Sequence, residues 1–137
     1  MIYMLSHVYQ KYKFADARPE VKDLAFFDSI EKTREAIEKY KVLPGFRDHR
    51  HSFYIKPIDI EVTGEALFCV YLYQYDEPRY NFEFGDLIIA TFDEQKAKEM
   101  LHICEKENRM FYQEKTRTEI ILSREVLNEM HWEEGFN

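Results

Sequence analysis

Glycine and proline are scarce in this chain of 137 residues, at four each, and there are only two cysteines and one tryptophan. So few glycines leave little room for a loop that wraps phosphates, and no phosphate-binding glycine motif is present. Nucleophile elbows, paired-cysteine motifs and zinc-protease helices are missing as well. Cys69 lies in an apolar strand pattern and Cys104 in a helical one, so both read as small buried hydrophobes with reduced thiols. No apolar run approaches the roughly 20 residues a membrane-spanning helix needs, and no membrane association is expected. Met1-Ile2-Tyr3-Met4-Leu5 offers no basic start ahead of an apolar core, which places the expected location in the cytoplasm.

Aromatic residues are abundant instead: ten Tyr and eleven Phe, within a hydrophobic fraction of 45%. That composition belongs to an ordered, strand-containing fold and argues against disorder. The length permits a real core without staples, and a single domain is expected over residues 1–137. The net charge of −7 is uneven. Residues 1–64 carry 11 Lys/Arg and 10 Asp/Glu, while residues 65–137 carry 8 Lys/Arg and 16 Asp/Glu, a net of +1 against −8. An acidic half repels nucleic acid phosphates and steers toward basic partners; its plainer role is solubility.

The two halves share an order of elements. Met4-Leu5-Ser6-His7-Val8-Tyr9-Gln10 lies over Phe68-Cys69-Val70-Tyr71-Leu72-Tyr73-Gln74, and Asp23-Leu24-Ala25-Phe26-Phe27-Asp28 over Ile88-Ile89-Ala90-Thr91-Phe92-Asp93. Each half predicts strand, strand, helix, strand, and the two repeats run over about residues 1–62 and 66–137. In the first, strands are expected at 2–10 and 21–27. A helix is expected over 30–41, with Asp28 or Ser29 as N-cap and Ile30, Thr33, Ile37 and Tyr40 on one face. Pro44-Gly45 ends it. A third strand follows over Phe53, Ile55, Ile58, Ile60 and Val62, and its slip in alternation at Pro57 predicts a bulge or an edge position. In the second repeat, strands are expected near 66–75, 86–92 and 118–126, with a helix over 94–107 capped by Asp93. Ala97, Met100, Leu101 and Cys104 form its inward face. Thr63-Gly64 is the turn between repeats. The fold class is therefore α+β: mainly antiparallel sheet with two helices, the repeats sharing one sheet or one core.

Leu43-Pro44-Gly45-Phe46-Arg47-Asp48 in the first repeat and His131-Trp132-Glu133-Glu134-Gly135-Phe136 in the second are the most individual stretches. Together they resemble the turn and end motifs of a small bacterial and phage domain family of unknown function, whose members are usually about half this length. In the second repeat Glu107-Asn108-Arg109-Met110-Phe111 stands where the turn motif would be, and in the first Val62-Thr63-Gly64-Glu65 stands where the end motif would be. The resemblance implies a fold and no activity. The tail itself reads as structural, with Trp132 and Phe136 packing against the sheet and pinning the chain end.

Three constellations bear on function. Arg47-Asp48-His49-Arg50-His51 is the densest polar cluster. Read as a strand it would put His49 and His51 on one face, but two imidazoles do not complete a metal site, and no metal or cofactor is expected; an exposed loop after the Gly45 turn is the better reading. The same cluster offers cations to an anionic partner. Tyr71, Tyr73 and Tyr75 alternate along one strand face, Tyr80 and two Phe continue the pattern, and Glu77, Glu83 and Asp86 lie among them. A tyrosine has an apolar body and a hydroxyl that tolerates water, so this stretch fits a docking face; it equally fits a face packed as core with hydroxyls at its rim. His131-Trp132-Glu133-Glu134 has the residue types of acid–base chemistry, but a chain end is a poor cradle for it.

Three functional readings follow. The first is a non-enzymatic interaction module that binds a basic protein through the acidic, Tyr-rich second repeat, as an immunity or antitoxin protein or a phage-encoded inhibitor would. The second is a small-ligand or enzymatic protein with a pocket where the repeats meet, using Arg47, Asp48, His49 and Tyr75. The third is a homo-oligomeric structural module.

Overall fold

The computed structural model describes residues 1–9, 20–76, 81–110 and 116–131, with side chains for all of these except 20, 74–76, 81–85, 108–110 and 116–117. In chain order they form β1 (Ile2–Tyr9), β2 (Glu20–Phe27), α1 (Ile30–Tyr40), a 3-10 turn (Arg47–His49), β3 (Phe53–Ile58), β4 (Ala66–Asp76), β5 (Asn81–Thr91), α2 (Glu94–Met110) and β6 (Thr116–Val126). The class is α+β. The strands make two separate three-stranded sheets, ordered β2-β1-β3 and β5-β4-β6, rather than one. In each sheet the first strand of its half is central. β1 pairs antiparallel with both neighbours, and β4 does so with β5.

The chain divides into two compact units, Met1–Thr63 with Val126–Asn137, and Gly64–Glu125. The first boundary falls at the Thr63-Gly64 turn that the sequence marks. The second is less expected: after β6 the chain belongs to the first unit, whereas the sequence pattern groups residues 66–137 together.

In the first unit α1 packs on β1 and β2. Its start is set by Ser29, which holds an extended backbone and accepts the Lys32 amide at 3.1 Å through Oγ. Of the two candidate caps, Ser29 rather than Asp28 takes this role. Ser29→Ala should cost about 1 kcal/mol, since one first-turn amide loses its acceptor; a urea unfolding curve measures it. Thr33, Ala36 and Tyr40 are buried and Ile37 packs against them. The core joins Leu5, Leu24, Ala25, Phe27, Ala36, Tyr40 and Phe46, with Phe53, Ile55 and Met130 around it. β3 is an edge strand, and Pro57 pairs with Tyr3 in unbroken register. Of the bulge and edge alternatives at Pro57, the edge is realised, because a residue without an amide proton is tolerated there. The irregularity lies instead between β1 and β2, where Leu5 pairs with Ala25 but Ser6 with Asp23, leaving Leu24 as the extra residue, fully buried. Such a bulge lets consecutive residues turn inward.

Residues after β6 close this unit. The Asn128 amide donates to the Phe26 carbonyl at 2.8 Å. Its side chain exchanges two 3.2 Å hydrogen bonds with Asp28: Oδ1 accepts from the Asp28 backbone amide, and Nδ2 donates to Asp28 Oδ2. Among the described residues Asn128 is the one non-glycine with positive φ, at 66°, a conformation Asn tolerates better than most residues. The Tyr40 hydroxyl donates to the His131 carbonyl at 2.6 Å. Trp132 and Phe136, expected to pin the end, lie outside the described residues.

In the second unit α2 packs on β4 and β5. Asp93 Oδ1 accepts the Gln95 and Lys96 amides at 3.0 and 3.3 Å, as its expected capping role requires. The helix extends to Met110, past the expected 107. No Pro-Gly pair stands there to stop it, whereas α1 ends just before Pro44-Gly45. Ala97 is buried, and Met100, Leu101 and Cys104 are half-buried. No helix among the described residues is long and apolar enough to cross a membrane.

Candidate functional site

Two places gather the residues that sequence singles out, one in each unit.

In the first unit, residues 47–51 do not form a strand. Arg47–His49 make a 3-10 turn followed by further turn residues, and β3 begins only at Phe53. The segment forms the exposed loop expected after the glycine turn, so His49 and His51 do not share a strand face: Phe46 and Arg47 donate their amides to the Leu43 carbonyl at 3.0 Å, His49 donates to the Phe46 carbonyl at 2.9 Å and Ser52 to the His49 carbonyl at 3.1 Å. Arg47, Asp48 and Arg50 point to solvent, and His49 is half-buried. His49 meets His7, a residue with no partner visible in sequence. His7 Nε2 lies 3.1 Å from the His49 carbonyl. A carbonyl only accepts, so Nε2 carries the proton and the neutral ring is the Nε2-H tautomer. The His7 ring is fully buried. It packs edge-on against Phe46 and Phe53, both with ring centroids at 4.9 Å. Tyr9 packs on His49 at 4.2 Å. Burial, followed by the nearby charges of His49 and His51, holds His7 below imidazole's ordinary value, against the opposing effect of its hydrogen bond to the His49 carbonyl. His7 and Tyr9 lie two apart on β1, facing the turn. Strand periodicity alone signals that placement; their contact with residue 49 is non-local.

On β1 and β2 there is a second polar pair. Ser6 Oγ donates to Asp23 Oδ1 at 2.8 Å. Burial pushes the Asp23 carboxyl up, opposed by the Ser6 hydrogen bond and by Lys56.

In the second unit, the Tyr strand is β4. Tyr71 is buried at 5% exposure, and Tyr73 is half-buried and stacked on it, with ring centroids at 5.6 Å. Tyr71 thus faces the interior at the base of the row, and Tyr73 begins the accessible part. Tyr75 and Glu83 are in paired strands, but their side chains lie outside the described residues, as do Glu77 and Tyr80 entirely. Asp86, paired with Leu72, is exposed. The β4–β5 register shifts twice. Ile88 is the extra residue at one shift, since Val70 pairs with Ile89 and Tyr71 with Leu87, and Glu83 at the other, since Gln74 pairs with Phe84 and Tyr75 with Phe82. Each shift leaves one β5 residue without a partner on β4, as a bulge does.

Neither cysteine is an activated thiol. Cys69 is buried, and partial burial together with Glu107 pushes the Cys104 thiol up, away from the thiolate that nucleophilic chemistry needs. Among the described residues, no three His, Cys, Asp or Glu side chains come together in a way that could hold a metal ion.

No family model matches the chain, and no curated protein or solved structure matches it.

Proposed function

We propose that this chain is a non-enzymatic interaction module that meets a partner of basic surface through its second unit. The supporting observation is how charge divides between the units. Gly64–Glu125 holds eight Lys/Arg against thirteen Asp/Glu, a net of −5, and the remainder holds eleven against thirteen, a net of −2. Three carboxylates of the acidic half, at 129, 133 and 134, go with the first unit, so the second is less acidic than the linear count suggests, yet it still dominates. Glu65, Asp86, Glu94, Glu99 and Glu105 are all exposed on it. A surface of one sign concentrates partners of the other and raises their encounter rate. The same field opposes phosphate backbones, so direct nucleic acid binding is not expected.

The contact surface we infer draws on Tyr73 of β4 and on the exposed Asp86 of β5, which pairs with Leu72 and so lies on the other face of that sheet from Tyr73; Tyr75, Glu77, Tyr80 and Glu83 are the further candidates that the sequence offers. Tyr71, buried, supports Tyr73 from within by stacking on its ring at 5.6 Å. Aromatic anchors set among charges are what protein interfaces favour. An immunity or antitoxin protein that occludes a basic toxin, or a phage-encoded inhibitor, are the settings that suit such a surface, in the cytoplasm. The test is capture from a host lysate at low salt with the full chain and with an Asp86→Lys, Glu99→Lys variant. A basic protein retained by the parent and reduced at least about tenfold by charge reversal is expected. Retention that is the same for both chains would remove the acidic unit from the contact.

A further inference from the structure

We infer that His7 is the pin of a pH-sensitive latch: its neutral ring holds the Phe46–Ser52 segment against the first sheet, and a proton on that ring releases the segment.

Four contacts hold the segment to the strands. Val8 donates its amide to the Ser52 carbonyl at 2.9 Å. His7 Nε2 reaches the His49 carbonyl at 3.1 Å. The Tyr9 ring covers His49. Phe46, fully buried, packs on the His7 ring and on Phe53, the latter at 5.7 Å between centroids. His7 takes part in two of these and lies beside the others, so the segment's seat is built around one imidazole.

Because Nε2 already carries a proton, the next proton goes to Nδ1 and turns the whole ring cationic. That charge would arise at a site with no solvent exposure, walled by two phenyl rings, where desolvation is costly. Among the described residues the surrounding charges do little to offset it. The segment brings Arg47, His49, Arg50 and His51 against one carboxylate, Asp48, which is exposed. Across the sheet, Lys22 is in register with His7 on one side and Phe53 on the other. Asp23, one residue from Lys22, is engaged by Ser6; β3 adds Lys56 and α1 adds the Tyr40 phenol. Charge on His49 and His51 adds repulsion. Opening the segment lets water reach the ring.

The direction follows from linkage. Folding depresses the His7 value, so the unfolded or opened chain takes up the proton first. The contribution to stability is therefore intact above imidazole's ordinary value, about 6.5, and is lost as the pH falls from there toward the lower folded value.

The full chain, followed by amide exchange and ring resonances from about pH 7.5 to about pH 5, tests this. After correction for intrinsic exchange, protection of the Val8 amide should fall at least about tenfold while α2 amides keep theirs. In His7→Gln, which retains a neutral donor, the fall should shrink to less than about twofold. An equal fall in both chains, or no fall in the parent, overturns the latch. If His7→Gln does not fold, the parent's own His7 ring signals decide: opening must track their titration, and titration of His7 without loss of Val8 protection overturns it. In His49→Asn, His51→Asn the midpoint should rise, because two neighbouring cations are gone; an unmoved or lowered midpoint counts against the proposal.

Discussion

Replacing Phe46 by Ala should destabilise the first unit by about 3–5 kcal/mol, the range for removing a fully buried phenylalanine. Phe46 is 0% exposed and contacts three rings: His7 at 4.9 Å, Tyr40 at 5.3 Å and Phe53 at 5.7 Å. It stands after the turn that ends α1, so its ring ties helix, turn and sheet together. The cavity left behind cannot close easily, because Tyr40 is held by its hydroxyl bond to His131 and His7 by its bond to His49. The control is Val42→Ala four residues earlier, where the side chain is 66% exposed and a change within about 0.5 kcal/mol is expected. Urea unfolding of the full chain with a probe in the first unit measures both. A loss below about 1 kcal/mol for Phe46→Ala would mean that this ring is not central to the core.

A chain ended after Val126 should lose at least about 3 kcal/mol from the first unit, through lost apolar burial and lost hydrogen bonds. The truncation removes Leu127, 9% exposed, and Met130 from the core, and with them every contact of Asn128. It also takes the acceptor from the Tyr40 hydroxyl. Amides of β4 and α2 should keep their protection, because that segment belongs to the other unit. Point variants separate the causes. Asn128→Gly loses the amide exchange with Asp28 but tolerates the positive φ, whereas Asn128→Ala loses both, so Ala should be worse by about 1 kcal/mol. Equal losses in first-unit and second-unit amides on truncation would contradict the placement of the tail.

Acid should open the first unit in two stages. Asp28 is held below the usual carboxylate range, first by the hydrogen bond from Lys32, which reaches it at 2.8 Å, then by Asn128. Its contribution is present above a carboxylate's ordinary value, about 3.9, and is lost only as the pH falls through the lower folded value. The His7 contribution disappears at milder acidity. The Phe46–Ser52 segment should therefore loosen well before the Asn128 clasp does. Asp23 works in the opposite sense. Burial raises its value, so keeping it ionised weakens the fold as the pH rises through that range.

The order of elements was legible because it rests on local pattern. Alternating apolar residues mark β1 and β4, capping side chains at Ser29 and Asp93 mark the helix starts, and Pro44-Gly45 marks the end of α1. What was not legible depends on contacts between distant residues or on small backbone irregularities. The bulges at Leu24 and Ile88 change inward and outward faces on β2 and β5 without altering composition, and alternation alone could not tell whether the Tyr71 face of β4 is core or exposed. His7 looked partnerless because its partner is the main chain of residue 49, 42 positions away. The His49–Arg50–His51 stretch carries no strong strand or helix signal, and the bonds from the His49 amide to Phe46 and from the Ser52 amide to His49 decided its turns. The tail's return to the first unit rests on Asn128 meeting Asp28 across 100 residues, which no local pattern encodes.

The association rate of the captured partner across ionic strength is the most direct test of the functional proposal. Between about 0.01 M and about 1 M salt the screening length shrinks from about 30 Å to about 3 Å. A partner steered by the carboxylates of Gly64–Glu125 should then associate at least about tenfold more slowly at high salt, with a much smaller change in dissociation rate. An association rate that stays constant over that interval would contradict recognition through this acidic unit.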